Sequence, residues 1–399
     1  MENDYKGLVS MRPYERTDKM AVYLDNAATT RPCEPAVSAV FQNMVEDYGN
    51  PSSLHGMGIT AEKNITDARK AIAAALVCDP QCVVFTSGAT ESSNMAVFGI
   101  AENYGKRKRK IVISAIEHPS VAEPVKYLEE KEGFEVVRVK PSKGGVIQAD
   151  DFIAEVDENT CLASCMMINN ETGAVQPVRK IFSAIKRDFP ECITHCDAVQ
   201  AFMKTPIKAA ELFADVIVVS GHKVHAVKGV GAMYIRKGVR VAPLILGGGQ
   251  EKNLRSGTES VPLIAGFGAA VRALMPTMKV ASENAEQIRA YLLKKLSKLD
   301  YVTINSDAES CSPFITNFSV AGIRSETMLH FLEDNGIYVS SGSACSKGAH
   351  SSVLTAMGIS DNLADSAIRV SICRTTTMGE IDVLINAVKK GHSSLAKVK

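Results

Sequence analysis

An α/β fold built on a mainly parallel seven-stranded sheet, with a smaller α+β domain after it, is predicted by three observations. Strand-like apolar runs alternate with helix-like stretches from about residue 60 to residue 270, an order that places helices on both faces of a parallel sheet. Beyond residue 270 the order changes, and separate strands and helices flank a Gly/Ser-rich loop. Composition supplies the third: 399 residues, 46% hydrophobic and 22% charged, describe a globular chain long enough for two cores.

The elements follow in order. Residues 61–76 read as an amphipathic helix and residues 82–86 as the first strand. Further strands are expected at 111–114, 135–139, 160–167, 193–197, 215–220 and 232–235. The run Asp215-Val216-Ile217-Val218-Val219 is apolar on both faces, as a parallel strand covered on both sides is. Residues 178–189 give a second amphipathic helix. A long helix-like segment over 261–299, interrupted near Pro276, leads out of the sheet region. The second region reads as a strand at 314–319, a helix at 326–335, the Gly/Ser loop, a strand at 367–372 and a closing helix after Thr377. The expected division is a large domain over 25–270 and a small domain of residues 1–24 and 271–399, which carries the loop.

A formal charge of +1 gives no global attraction to nucleic acid or anionic lipid. The basic cluster Lys106-Arg107-Lys108-Arg109-Lys110 precedes a strand and reads as a solvated loop. The first twenty residues mix acids and bases, and nowhere do 18 apolar residues run together, so neither export nor a membrane partner is expected. Ten cysteines without a signal peptide argue for a reducing, cytoplasmic setting in which most serve as small buried hydrophobes. The pairs Cys78/Cys82, Cys161/Cys165 and Cys192/Cys196 have three intervening residues rather than the two of a zinc knuckle, and no metal site is expected.

The chemistry is concentrated at the ends of the expected strands. Asp197-Ala198-Val199-Gln200 is followed by an apolar strand and by Ser220-Gly221-His222-Lys223. A carboxylate for a pyridine nitrogen and then a lysine for an aldehyde are what pyridoxal 5'-phosphate requires. A desolvated lysine loses its proton readily and becomes a nucleophile. Taken alone, Lys223 also reads as a surface cation and Asp197 as a helix cap. The phosphate needs backbone N–H donors at a helix start, which Thr86-Ser87-Gly88-Ala89-Thr90 offers after a strand, with Ala89 and Thr90 as donors. Ser220 and His222 add hydroxyl and imidazole donors, and Gln200 reaches the ring hydroxyl. His118 stands at a strand's carboxyl end, placed to stack on the ring and move protons. Asn170, in Asn169-Asn170-Glu171-Thr172-Gly173, is a candidate substrate contact or a plain turn residue. Cys345 sits in a loop of small polar residues with Lys347 and His350 near it, a setting that favours the thiolate. Arg369 on the last strand is a candidate to grip a carboxylate in bidentate fashion.

Nine motifs in order carry a family resemblance. They are Tyr23-Leu24-Asp25-Asn26-Ala27-Ala28-Thr29-Thr30, Ser87-Gly88-Ala89-Thr90-Glu91-Ser92, Glu117-His118-Pro119-Ser120, the Asn169–Gly173 and Asp197–Gln200 stretches, Ser220-Gly221-His222-Lys223, Gly247-Gly248-Gly249-Gln250-Glu251, Arg255-Ser256-Gly257-Thr258-Glu259 and Ser340-Ser341-Gly342-Ser343-Ala344-Cys345-Ser346-Lys347-Gly348. Over about residues 22–385 the chain resembles the cysteine desulfurases of the NifS/IscS-like class, within the class V aminotransferases. The resemblance implies a fold type I pyridoxal phosphate homodimer in which Thr258 reaches the phosphate of the partner's site and Cys345 carries a persulfide. It implies conversion of L-cysteine to L-alanine, with sulfur passed to an acceptor protein of iron–sulfur cluster assembly or tRNA thiolation. The form of the loop points to the class with a long mobile cysteine loop. The family usually shows an aromatic residue and Gly-Pro after the lysine, where this chain has His225-Ala226-Val227. The alternatives are another pyridoxal phosphate reaction on the same fold, such as an aminotransferase or selenocysteine lyase, and a cofactor-free scaffold for sulfur carriers.

Overall fold

Residues 21–307, 309–341 and 351–397 are described by the computed structural model. The chain opens with the short strand β1 (Val22–Tyr23) and helix α1 (Glu34–Val45), which has proline in its first turn, where no N–H is needed. Helix α2 (Gly56–Leu76) buries Ala61, Ile65, Ala68, Ile72 and Leu76, one stripe at helical spacing. It stops where Val77 turns left-handed with φ 50°.

The main sheet contains β2 (Val83–Thr86), β3 (Lys110–Ser114), β4 (Glu135–Val139), β5 (Thr160–Ser164), β6 (Ile193–Asp197), β7 (Val216–Ser220) and β8 (Gly231–Ile235). Their spatial order is β2-β8-β7-β6-β5-β3-β4, and β8 alone is reversed, antiparallel to both β2 and β7. The seven expected strands and the mainly parallel sheet are thus present. The strand expected over 160–167 ends at Ser164, where pairing with β3 stops and Met166 N donates instead to Glu117 Oε1 at 2.7 Å.

Helices α3 (Ala89–Tyr104) and α4 (Pro119–Glu132) cover one face of this sheet, while α2, α6 (Val178–Asp188) and α7 (Val261–Leu274) cover the other; the short α5 (Ala149–Ala154) packs beside α6. Alternate strand residues serve the two cores: Val216 and Val218 face α3, and Ile217 and Val219 face α7. That division explains why the strand reads as a continuous apolar run.

The expected interruption near Pro276 is a single turn at Met275–Thr277, after which α8 (Met278–Leu296) begins. By length and composition the Val261–Leu296 stretch is apolar enough to cross a membrane, although Arg272 and Lys279 interrupt it and no 18 apolar residues run together. More than half of its most apolar window is buried, with α7 packed on α1 and α2, so here the apolar side chains serve the core. Beyond it lie β9 (Val302–Ile304), β10 (Ile315–Val320), α9 (Ser325–Asp334), β11 (Ile337–Tyr338), β12 (Ser340–Ser341), α10 (Ser352–Ala356), α11 (Asp361–Asp365), β13 (Ala367–Ser371) and α12 (Met378–Ser394). Strands β12-β13-β10-β9 form an antiparallel sheet, and α12 starts with a capping box between Thr377 and Glu380. Strand β1 joins this region by pairing with β11.

One close approach places the site. A β-carbon on Gly231 would lie 2.7 Å from the carbonyl carbon of Gly88 and 3.0 Å from Ala89 N, so β8 touches the turn before α3 only because Gly231 has no side chain. Gly231→Ala is expected to push that turn outward and to cost roughly 1–3 kcal/mol of stability in urea unfolding. An unchanged unfolding midpoint would show that the turn yields without strain.

Candidate active site

The connections after the parallel neighbours β3 and β5 run to opposite sides, to β4 and to β6, and parallel sheets open a crevice at such a switch. Residues following β2, β3, β5, β6 and β7 all border one cleft of about 1100 Å³. Arg369 from β13 and Ser351 close its far side. Of the residues expected from the sequence, Ala89, Thr90, His118, Asn170, Asp197, Gln200, Ser220, His222, Lys223 and Arg369 are gathered here.

At one end, α3 opens at Ala89 with no side chain capping it, so its first N–H groups face the cleft lining. Thr86 Oγ1 donates to Gly88 O at 3.0 Å and lies 2.7 Å from Ser92 Oγ, which shapes the turn. A β-carbon on Gly88 would meet nothing within 4 Å. Ser220 ends β7, and His222 Nδ1 lies 3.3 Å from Thr29 Oγ1. Burial, with Lys223 and Lys228 adding, pushes the His222 pKa down to about 4, so its ring is neutral near pH 7.

At the other end Asp197 is 5% exposed, and its Oδ1 accepts from Val199 N at 2.9 Å. Burial raises its pKa, opposed by His118, the backbone and Lys223. His118 Nδ1 accepts from Ser120 N at 3.1 Å, capping α4, which leaves the ring proton on Nε2. Burial lowers the His118 pKa, and Asp197 partly offsets it. Gln200 Nε2 donates to Ala27 O at 3.0 Å.

Lys223 closes a single 3-10 turn, Gly221–Lys223. Its Nζ donates to Ala27 O at 2.7 Å and Ala28 O at 2.5 Å. The turn is zipped to the N-terminal segment: Thr30 N donates to His222 O at 2.8 Å and His225 N to Thr30 Oγ1 at 2.7 Å. His225 occupies the left-handed region with φ 56°, and Arg31 O lies 2.9 Å from its Nδ1. These bonds hold the loop behind the lysine in place of the Gly-Pro expected there.

Arg369 donates through Nη2 to Asp25 Oδ1 at 2.9 Å and through Nη1 to Asn170 O at 3.0 Å, while its buried Nε has no acceptor among the described residues. Cys345 lies outside the described residues, as do Lys347 and His350. Its described flanks are Ser341, whose strand pairs with β13, and Ser351, whose hydroxyl donates to Glu171 Oε2. Thr258 is exposed and lines a separate pocket of about 350 Å³ beside Met44 and Tyr48, outside the cleft. Among the described residues no three His, Cys, Asp or Glu side chains cluster as a metal would require.

Sequence reasoning missed Asp25, Thr30, Glu117, Glu171 and Lys204 as site residues. All but Lys204 stand inside the motifs quoted above, so the signal was present, but spacing alone does not say which motif residues meet. Glu117 is the buried carboxyl that joins two strands. Its Oε1 accepts from Ser114 Oγ at 2.6 Å and Met166 N at 2.7 Å, tying the ends of β3 and β5 together beneath His118. Burial, with the Asp197 charge adding, raises its pKa to about 8, and burial likewise raises Glu171 to about 7.

A consequence for stability follows. Between the ordinary value of 4.5 and about 8 the folded chain keeps a proton on Glu117 that the unfolded chain has lost. Stability from this group is therefore present at low pH and declines as pH rises through that window. Glu117→Gln is expected to flatten the decline in urea-unfolding free energy between pH 5 and pH 8 by at least about 1 kcal/mol. Equal slopes in the two proteins would show that Glu117 ionises normally.

Residues 22–384 match the family described as Aminotransferase class-V. The chain is 39% identical to the protein named cysteine desulfurase IscS of Escherichia coli, across 94% of both chains. It is 38% identical to the mitochondrial cysteine desulfurase of Arthroderma benhamiae, across 98% of this chain and 78% of that one. A solved structure titled NifS-like protein superposes with a TM-score of 0.89 at 39% identity, over 94% of this chain and 100% of the other. Another, titled SspA in complex with cysteine, gives a TM-score of 0.79 at 32% identity, over 89% of this chain and 99% of the other. With the motifs gathered in one cleft and likeness along nearly its whole length, the chain belongs to the class-V aminotransferase family, among the NifS/IscS-like cysteine desulfurases of fold type I.

Proposed function

We propose that this chain is a pyridoxal 5'-phosphate-dependent cysteine desulfurase. It converts L-cysteine to L-alanine, leaves the sulfur as a persulfide on Cys345, and passes it to an acceptor protein of iron–sulfur cluster assembly or tRNA thiolation. The observation that carries this reading is the convergence of Lys223, Asp197, His118 and the α3 N-terminus on a single cleft.

The donor set fits the cofactor. Asp197 is buried and makes no ion pair with a cation among the described residues, so a protonated pyridine nitrogen would supply its counter-charge. The open space at Gly88 and the uncapped helix start suit a phosphate. Ala89, Thr90, Ser220 and His222 would hold that phosphate, Gln200 the ring hydroxyl, and His118 the ring face. When bound, pyridoxal phosphate supplies an electron sink for the α-carbon of an amino acid.

The side chains then have distinct tasks. Arg369, already aligned by Asp25, and Asn170 hold the substrate carboxylate. Lys223 Nζ takes the α-proton, and the carbonyls of Ala27 and Ala28 receive its charge. His118 Nε2 moves a proton near the substrate sulfur. The Cys345 thiolate forms a sulfur–sulfur bond as the substrate's carbon–sulfur bond breaks. The bonding pair remains with carbon, which takes up a proton and leaves as alanine, so the step balances without an outside oxidant.

Two copies are part of this reading. Met44 and Tyr48 are 64% and 67% exposed, and they line the same pocket as Thr258. Thr258 would reach the second copy's phosphate across that surface. The division into a large domain over 25–270 and a small domain of 1–24 and 271–399 is also proposed, supported by a separate apolar cluster that unites Val22 and Leu24 with α8, α9, α12 and β10.

Cys345→Ala is expected to abolish alanine release from cysteine while the yellow absorbance of the B6-loaded protein stays. Lys223→Ala is expected to lose the absorbance that borohydride shifts. Undiminished alanine release from Cys345→Ala would refute the role of that thiol, and a keto acid product would turn the assignment to an aminotransferase. Sedimentation is expected to give twice the chain mass, and Met44→Asp combined with Tyr48→Asp to give monomers that retain less cofactor. A native monomer with full activity would exclude the shared site.

A further inference from the structure

Two lysines bear on the Ala27 carbonyl, and only one of them has been given a task. Lys204 follows Gln200 by one helical turn's spacing, and its Nζ donates to Gln200 Oε1 at 3.0 Å. With Lys223 it lines a pocket of about 20 Å³ that shares Lys223 with the large cleft and none of the cleft's other residues. Its other described contact is the ring of Phe314, 5.9 Å away, and among the described residues no carboxylate forms an ion pair with it.

The chemistry of these partners allows one arrangement. An ammonium only donates, so the amide oxygen of Gln200 must face Lys204. A backbone carbonyl only accepts, so the amide nitrogen must face Ala27 O, which it meets at 3.0 Å. Ala27 O also receives Lys223 Nζ at 2.7 Å. Three hydrogen bonds therefore link the two lysines through Gln200 and one carbonyl.

We propose that Lys204 is a positioning residue which, through its charge and through Gln200 and the Ala27 carbonyl, favours the uncharged amine of Lys223. This rests on the reading of Lys223 as the aldehyde-bearing lysine. Among the described residues the groups facing Lys223 include Asp197, which favours its charged form, and His118, His222 and Lys204. Those facing Lys204 include Lys223, Arg369, His225, Cys373 and Arg374. Burial and the Lys223 charge lower the Lys204 pKa to about 7. Two amines in one desolvated space hold their protons jointly, and the first proton leaves the doubly charged pair more readily than it would leave either amine alone. Asp197 pulls toward the ammonium, and Lys204 supplies the opposing charge.

The test reads the amine itself. Protein stripped of B6 is labelled with a trace of acetic anhydride at graded pH, and the Lys223 peptide is quantified by mass spectrometry. Lys204→Met and Lys204→Gln are expected to raise the labelling midpoint of Lys223 by about one pH unit. Lys204→Arg, which keeps a donor and a charge, is expected to leave it unchanged. Should the Met variant not fold, the Gln variant carries the test, because it keeps a donor for Gln200. Midpoints equal to wild type in the uncharged variants overturn the proposal, and so does an equal rise in the Arg variant. Borohydride trapping of the loaded protein separately reads whether Lys223 bears the aldehyde, so failure of that assignment is distinguishable from failure of the role of Lys204.

Discussion

The carbonyls of Ala27 and Ala28 meet the ammonium of Lys223, and the rest of the site depends on that contact. The two carbonyls belong to a segment that is strapped at both ends. On one side Asn26 Nδ2 donates to Ser371 O at 2.9 Å and Ala27 N to Ser371 Oγ at 2.8 Å. On the other, Thr30 is zipped to the turn containing Lys223. The same segment carries Asp25, which aligns Arg369. One short stretch therefore sets the distance between the amine of Lys223 and the guanidinium of Arg369, and it spans the two sheets in doing so.

Burial sets the charge of the groups around this contact. His118 and His222 are driven toward neutral rings, while Glu117 keeps its proton near neutrality. Burial raises the Asp197 pKa as well, opposed by His118 and Lys223 on the same cleft. A chain in which these residues were exposed would carry the same formal charges and none of this differentiation. Glu117 also shows how packing and chemistry share one residue: its carboxyl joins β3 to β5 and lies beneath the histidine that follows it in sequence.

Much of the architecture was legible in the chain because parallel strands covered on both faces leave continuous apolar runs. Strands β3, β4 and β6 begin or end within a residue of expectation, and α12 follows Thr377 as its capping residues require. The two-residue strands β1, β11 and β12 were not legible, since pieces that short carry no periodicity and exist only through their partners. The long helical segment broken at Pro276 was legible, because proline interrupts a helix without ending the apolar pattern around it.

The sequence by itself determined the strand order along the chain, the turns at Gly88 and Lys223, and the motifs that line the cleft, because each is a local pattern. Only the tertiary structure decided that Asp25 serves Arg369, that Lys204 reaches Gln200 and Lys223 through a shared carbonyl, and that Thr258 points away from its own cleft. These contacts join residues far apart in sequence or depend on which face of a turn is buried. Hydrogen bonds at such separations leave no spacing in the chain to be read.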